Sequence, residues 1–317
     1  MNIVFLDKAT ITLDEDMSFE KVEAQGRLTN FDLTTPEQIP ERAKDADAII
    51  VNKALLGRET LEKLPKLKHI AVIATGYNNV DTKAAGELGI SVSNVFGYGR
   101  YTVPQHTFAL ILNLAGAVRE YASDVQKGDW EGQDSFTLLR YHTFELHGKT
   151  IGIVGFGAIG RGSAAIAEGF GMRVLVHDAF DFEHPDYENT PLEKLIEEAD
   201  ILTVHCPLTE QTRDLIGEAE LKKMKRSAFV INTARGGIIT EEALLKALES
   251  GEIAGAGLDT LTQEPPRKHP LLHRDDINLI VTPHCAWSAR EARQRLIDEV
   301  AANIEAFKSG KDRNIVN

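Results

Sequence analysis

Three glycines and one aspartate have the spacing of a site for phosphate and ribose. The glycines lie in Gly155-Phe156-Gly157-Ala158-Ile159-Gly160, and Asp178 follows 18 residues after the last of them. Gly155 permits a tight turn. Gly157 has no Cβ, so backbone can approach a pyrophosphate there. Gly160 lets a helix pack closely on a strand. A carboxylate at the position of Asp178 accepts hydrogen bonds from an adenosine ribose diol. Its charge repels a 2′-phosphate, and no Arg follows in Ala179-Phe180-Asp181, so NAD is favoured over NADP.

Glycines cluster in many turns, so the elements around these four residues decide their meaning. The apolar run Thr150–Val154 reads as a strand. A helix is expected after it, with Ile159, Ala164, Ile166, Ala167 and Phe170 as its apolar face and Gly171 as its stop. A second strand, Arg173–His177, runs into Asp178. This strand–helix–strand context is what a dinucleotide fingerprint needs. The helix N-terminus adds unpaired N–H groups aimed at the phosphates.

The rest of the chain supplies the setting. At 317 residues it is long for a single core, so two domains are expected. Hydrophobic content of 43% and charged content of 26% are those of a soluble globular protein. A formal net charge of −13 argues against nucleic acid or an anionic membrane as partner. A site for an anionic substrate must then be built locally. Two cysteines without a CxxC suit a reducing compartment and give no zinc framework. The start lacks the basic and apolar regions of a signal peptide, and no apolar run has membrane-spanning length, so the cytoplasm is the expected location.

Residues 1–98 alternate short apolar strands, at 3–6, 48–51, 70–73 and 90–92, with helix-compatible segments such as 37–45 and 82–88. Alternation of this kind predicts a parallel sheet with ligands at the strand C-terminal ends. The loops Asn52-Lys53 and 74–79 lie at such ends. A long apolar helix is expected over 102–121, with a less regular stretch to 147. From 149 onward six strands are expected, at 151–154, 173–177, 201–205, 228–232, 254–258 and 279–282. A proline-rich loop, 260–275, leads to the last strand, and a final helix covers 288–308.

Five segments carry a resemblance over nearly the whole length. They are GFGAIG, HCPLTEQTRDLIG at 205–217, NTARGGIITEEAL at 232–244, AGAGLDTLTQEPP at 254–266 and TPHCAW at 282–287. With them the chain resembles the D-isomer-specific 2-hydroxyacid dehydrogenases. The loop ATGYNNVD, the stretch NVFGYGRYTVPQHT and the ending SAREARQRL look like the glycerate dehydrogenase/hydroxypyruvate reductase branch. The resemblance implies an α/β protein of two Rossmann-like domains. One is a flavodoxin-like substrate domain, expected at 1–98 plus 289–317. The other is a doubly wound NAD-binding domain, expected at 99–288. It also implies a homodimer.

The family's catalytic Arg, Glu and His match Arg235, Glu264 and His284. Reducing a 2-keto acid needs a hydride donor, a proton for the carbonyl oxygen and a cation for the carboxylate. His284 is the expected acid, because an unperturbed imidazole titrates near ~6.5. Glu264 is expected to fix its tautomer and stabilise the imidazolium. Arg235, beside Gly236 and Gly237, offers a guanidinium fork to a carboxylate. The resemblance further implies that Gly76 and Tyr77 present backbone N–H groups to the substrate. Lys53 either adds charge from across the cleft or is a solvated surface lysine. For NAD it adds Ala158 and Ile159 at the pyrophosphate, and Cys206 and Pro207 near the adenosine. Thr212, Thr233 and Ala234 line the path to the nicotinamide, Asp259 holds its carboxamide, and Thr107 and Trp287 are further contacts. Cys285 adjoins His284, but neighbours in an extended segment point opposite ways, so no Cys–His pair is expected.

The expected activity is NAD-dependent interconversion of a D-2-hydroxy acid and its 2-keto acid, with hydroxypyruvate or glyoxylate as the leading substrates. D-lactate or another 2-keto acid reduction stays open. So does a non-enzymatic role, because corepressors that sense NAD resemble these enzymes even at the catalytic positions.

Overall fold

The computed structural model describes residues 1–317 and divides into two compact units. The first is Met1–Tyr98 with Trp287–Asn317, and the second is Gly99–Ala286.

The first unit is a parallel sheet of β1 (Asn2–Phe5), β2 (Arg27–Asn30), β3 (Ala48–Val51), β4 (His69–Val72) and β5 (Ser91–Ser93), in the order β2-β1-β3-β4-β5. This is the flavodoxin-like order. β3 and β4 are buried along their full lengths, which is why they read as unbroken apolar runs. β2, with the sequence RLTN, is an exposed edge strand, and its polar composition hid it from the hydrophobic pattern. Four short helices follow the strands: α1 (Glu20–Glu23), α2 (Ile39–Arg42), α3 (Arg58–Leu61) and α4 (Thr82–Glu87). The expected helix over 37–45 is one 3₁₀ turn and the four residues of α2.

The second unit begins with α5 (Thr102–Gly116) and α6 (Val118–Gln126). The single helix expected to 121 is thus two. Ala117 takes a left-handed conformation, φ 47°, and the Phe144 N–H bonds the Ala115 carbonyl where α5 ends. The sheet contains β6 (Thr150–Val154), β7 (Arg173–His177), β8 (Ile201–Val204), β9 (Phe229–Asn232), β10 (Gly255–Leu258) and β11 (Leu279–Val281). The order is β11-β10-β9-β8-β6-β7, all parallel, and an isolated bridge from Val176 to Asn189 extends the β7 edge. Crossovers are made by α7 (Ala158–Gly169), α8 (Leu192–Glu198), α9 (Glu218–Lys223) and α10 (Glu241–Glu249).

One core, built from residues such as Leu195, Leu221, Leu244 and Leu248, covers one face of this sheet. Another, with Phe108, Ile111, Ala164 and Ala167 from α5 and α7, covers the opposite one. Glycine in β10 permits the close seat of α5, since a Cβ on Gly257 would lie 3.0 Å from the Leu110 Cβ. The last helix, α11 (Arg290–Lys308), buries Leu296, Ile297, Val300 and Ile304 in the first unit's core. Trp287 packs against that same core, so the chain re-enters the first unit two residues earlier than 289.

His69 in β4 is wholly buried. Its ring lies 2.8 Å from Ser91 Oγ and 3.1 Å from Ser93 Oγ, stacked on Phe307. Burial pushes its pKa down to about 4. The folded ring therefore stays neutral while the unfolded chain takes up a proton below ~6.5. Stability is expected to fall as pH drops from about 6.5 to about 4, by up to about 3 kcal/mol. Urea midpoints between those pH values check this, and His69→Gln should flatten the slope.

Candidate active site

The glycine loop has the construction its spacing implies. Gly155 sits at φ +95°, and a Cβ there would meet Cys206 N at 2.6 Å. A Cβ on Gly160 would lie 2.1 Å from the Gly155 carbonyl oxygen. A Cβ on Gly157 would meet nothing within 4 Å. Two glycines are therefore forced by the protein's own packing, and the third leaves an open, exposed surface at the start of α7. Ala158 and Ile159 form the first turn of that helix.

Asp178 stands beside the loop. Its Oδ2 accepts the Phe156 N–H at 2.6 Å, and its Oδ1 accepts the Phe180 N–H at 3.1 Å. The Asn189 side chain brackets the Asp178 backbone, accepting from its N–H at 3.0 Å and donating to its C=O at 2.9 Å. Asn189 gave no sign in the sequence, because the bracket depends on a chain return over 11 residues. An exposed helix N-terminus, an open glycine and a carboxylate at the next strand's end fit a dinucleotide.

Ala substitutions separate the two kinds of glycine. Gly160→Ala is expected to cost about 1–3 kcal/mol of stability by overpacking and to weaken NADH binding. Gly157→Ala should leave the melting temperature unchanged and weaken NADH binding alone. Thermal melts and NADH fluorescence titrations check both.

The next strand ends are equally determined. After β8, the Cys206 backbone packs on Gly155, and burial raises the thiol pKa to about 11. The Pro207 carbonyl accepts the Thr212 hydroxyl at 2.5 Å, which closes the 207–212 turn. His205 is held neutral by burial, with its pKa lowered to about 3, and its Nε2 lies 3.0 Å from Ser163 Oγ. After β9, the Thr233 hydroxyl pairs with that of Thr107 at 2.9 Å, tying α5 to the strand end. Both threonines are buried.

Arg235 is exposed, and its Nη1 donates to the Ala234 carbonyl at 2.7 Å. Asn232 shapes this turn, accepting the Ala234 N–H at 3.0 Å and donating to the Arg235 carbonyl at 2.8 Å. Gly236 beside it is required by contact, because a Cβ would lie 2.0 Å from the Leu261 carbonyl carbon.

His284 Nδ1 lies 2.6 Å from Glu264 Oε2. The other carboxylate oxygen of Glu264 accepts the Leu261 N–H at 3.0 Å. His284 occupies the left-handed region at φ 51°, unusual for a residue with a Cβ. Asp259 secures this turn. Its carbonyl accepts the His284 N–H at 2.8 Å, Oδ1 accepts the Cys285 N–H at 2.9 Å, and Oδ2 accepts the Ala286 N–H at 2.8 Å. Thr282 Oγ1 also donates to Oδ1, and His106 Nε2 lies 3.0 Å from that hydroxyl. Asp259 is almost wholly buried, with its carboxylate taken up by the 282–286 turn. Beside the cofactor contact expected of it, Asp259 thus has an internal role in holding the His284 turn. Burial raises the Cys285 thiol, which keeps it protonated and a poor nucleophile.

The first unit holds Lys53, Gly76, Tyr77 and Trp287. Buried Asp7 organises the first of its loops by accepting N–H groups from Asn52, Lys53 and Ala54 at 2.9, 2.6 and 2.8 Å. Asn79 Nδ2 donates to the Ala54 carbonyl at 3.0 Å, which links this loop to the one carrying Gly76 and Tyr77. Thr75 Oγ1 donates to the Val95 carbonyl at 2.8 Å.

Comparison with known proteins identifies the family. Residues 108–286 match the family model described as D-isomer specific 2-hydroxyacid dehydrogenase, NAD binding domain. The chain belongs to that family, and its second unit is the family's NAD-binding fold. The glycerate dehydrogenase of Methylorubrum extorquens is 43% identical, over 99% of this chain and 98% of the relative. A hydroxypyruvate reductase of Blautia hydrogenotrophica is 37% identical over the whole of both. Among solved structures, a D-2-hydroxyisocaproate dehydrogenase superposes with TM-score 0.87 and 26% identity, covering 100% of this chain and 99% of the other. An acyclic imino acid reductase in complex with NADPH and D-Arg gives 0.86 and 30%, covering 100% of both. The protein is an NAD-dependent D-2-hydroxyacid dehydrogenase.

Proposed function

We propose that the enzyme reduces hydroxypyruvate or glyoxylate with NADH, which makes it a D-glycerate dehydrogenase working in reverse. The observation that carries the chemistry is the 2.6 Å contact between His284 Nδ1 and Glu264 Oε2. A carboxylate at Nδ1 keeps a proton on that nitrogen and fixes the orientation of the ring. His284 then gives its Nε2 proton to the carbonyl oxygen and returns to the neutral ring. Bound NADH supplies the hydride for the carbonyl carbon. The Arg235 guanidinium holds the substrate carboxylate and fixes which face of the carbonyl is presented. Gly76 and Tyr77 contribute backbone N–H groups to the same carboxylate, and Lys53 contributes charge. Thr212, Thr233 and Ala234 line the nicotinamide path, with Cys206 and Pro207 on the adenosine side. Asp178 selects NADH by binding the ribose diol and repelling a 2′-phosphate.

The names of the two relatives above support this choice of substrate. The test is NADH consumption with hydroxypyruvate, glyoxylate, pyruvate and 2-ketoglutarate, repeated with NADPH. Fast turnover of hydroxypyruvate with NADH supports the reading. Preference for pyruvate replaces the substrate, and binding of NADH without turnover of any 2-keto acid replaces the enzyme by a sensor.

The proposal includes a homodimer in the cytoplasm. Phe136 and Leu139 in the segment after α6 are each 88% exposed, and Trp130 is half exposed. Such a cluster of large apolar side chains calls for a partner surface. The two cysteines are unpaired, which suits a reducing compartment. Sedimentation velocity tests the dimer.

A further inference from the structure

Glu264 lies on the long connection between β10 and β11, which has no helix to hold it. Its carboxylate must nevertheless stay within hydrogen-bond reach of His284. One support is the backbone contact of Leu261 with Gly236. Another comes from outside the site.

Glu241, the first residue of α10, points its carboxylate at this connection from below. Its Oε1 accepts the Thr262 N–H at 2.6 Å, and its Oε2 faces His269 Nε2 at 2.8 Å. Both side chains are largely buried, 14% and 11% exposed, so the pair is little screened by water. The tautomer of His269 follows from its other nitrogen. The Leu271 N–H donates to Nδ1 at 3.3 Å, so Nδ1 is an acceptor and the ring proton sits on Nε2, where it donates to Glu241. One carboxylate therefore gathers two points of the connection that lie on either side of Glu264.

We propose that Glu241 and His269 are positioning residues that pin the connection so that Glu264 stays on His284. The proposal rests on the reading of His284 as the proton donor. Without the tie, Glu264 keeps its local bond to Leu261 but the segment that carries it is released. The His284 ring then loses the contact that fixes it, while the glycine loop and Asp178 are untouched.

The variants are Glu241→Gln, His269→Ala and His269→Gln, assayed for NADH-dependent reduction. In Glu241→Gln an amide faces the His269 ring, so either Thr262 or His269 loses its acceptor. His269→Ala removes the tie, and His269→Gln restores an N–H donor near the ε position. The expected result for the first two is a fall of about tenfold in kcat, equal to ~1.4 kcal/mol. KM for NADH is unchanged, and His269→Gln recovers most of the rate. In a Glu264→Gln background, Glu241→Gln should cost little more.

Wild-type kcat in both variants, whatever happens to their melting temperatures, overturns the proposal. So does a full additional loss in the Glu264→Gln background. Failure of the underlying reading is visible separately, as retained turnover in His284→Ala.

Discussion

His284→Ala is expected to lower kcat for 2-keto acid reduction by about 10²–10⁴-fold, the usual contribution of a positioned acid. NADH should bind as in the wild type, because the glycine loop and Asp178 lie on other strand ends. The size of the effect follows from how completely the ring is fixed. Its backbone is held in a left-handed turn by four N–H and carbonyl contacts to Asp259 and Thr282, and its Nδ1 by Glu264. No water held by chance would reproduce that placement. Glu264→Gln should be milder, since an amide oxygen still accepts from Nδ1–H but carries no charge. Single-turnover kinetics with NADH binding measured in parallel decide the matter. A variant with full turnover removes His284 from the role.

Arg235→Ala is expected to lower kcat/KM by about 10²–10³-fold, most of it as a rise in KM for the keto acid. The side chain is exposed, with Nη1 on the Ala234 carbonyl, and its turn is rigid because Asn232 bonds it at two points. The guanidinium is thus presented and not buried, as suits a group whose partner is the substrate. The part of the loss that appears in kcat reports misplaced carbonyl geometry. Arg235→Lys keeps the charge but loses the two-pronged fork, so its activity should lie between wild type and Ala. An unchanged KM in Arg235→Ala would falsify the assignment to the carboxylate.

The glycine loop, Asp178, the buried strands and the Arg, Glu and His of the proposed site could be read in the amino-acid order. Their information is local. A parallel strand buried on both faces must be apolar along its length, and a phosphate turn must have glycine at set intervals. Tertiary structure decided what depended on residues far apart in the chain. β2 is polar because it lies at an edge, so no pattern announced it. Helix α5 stops at Ala117, an ordinary helix former, where a left-handed residue turns the chain. Asp259 had a legible place at the end of β10 but not a legible task, because its partners come from 282–286. Asn189, Asp7, Asn79 and the Glu241–His269 pair were silent for the same reason. Each is an ordinary polar residue until folding sets its side chain against a backbone group elsewhere, and a hydrogen bond depends on a distance in space that sequence spacing does not encode.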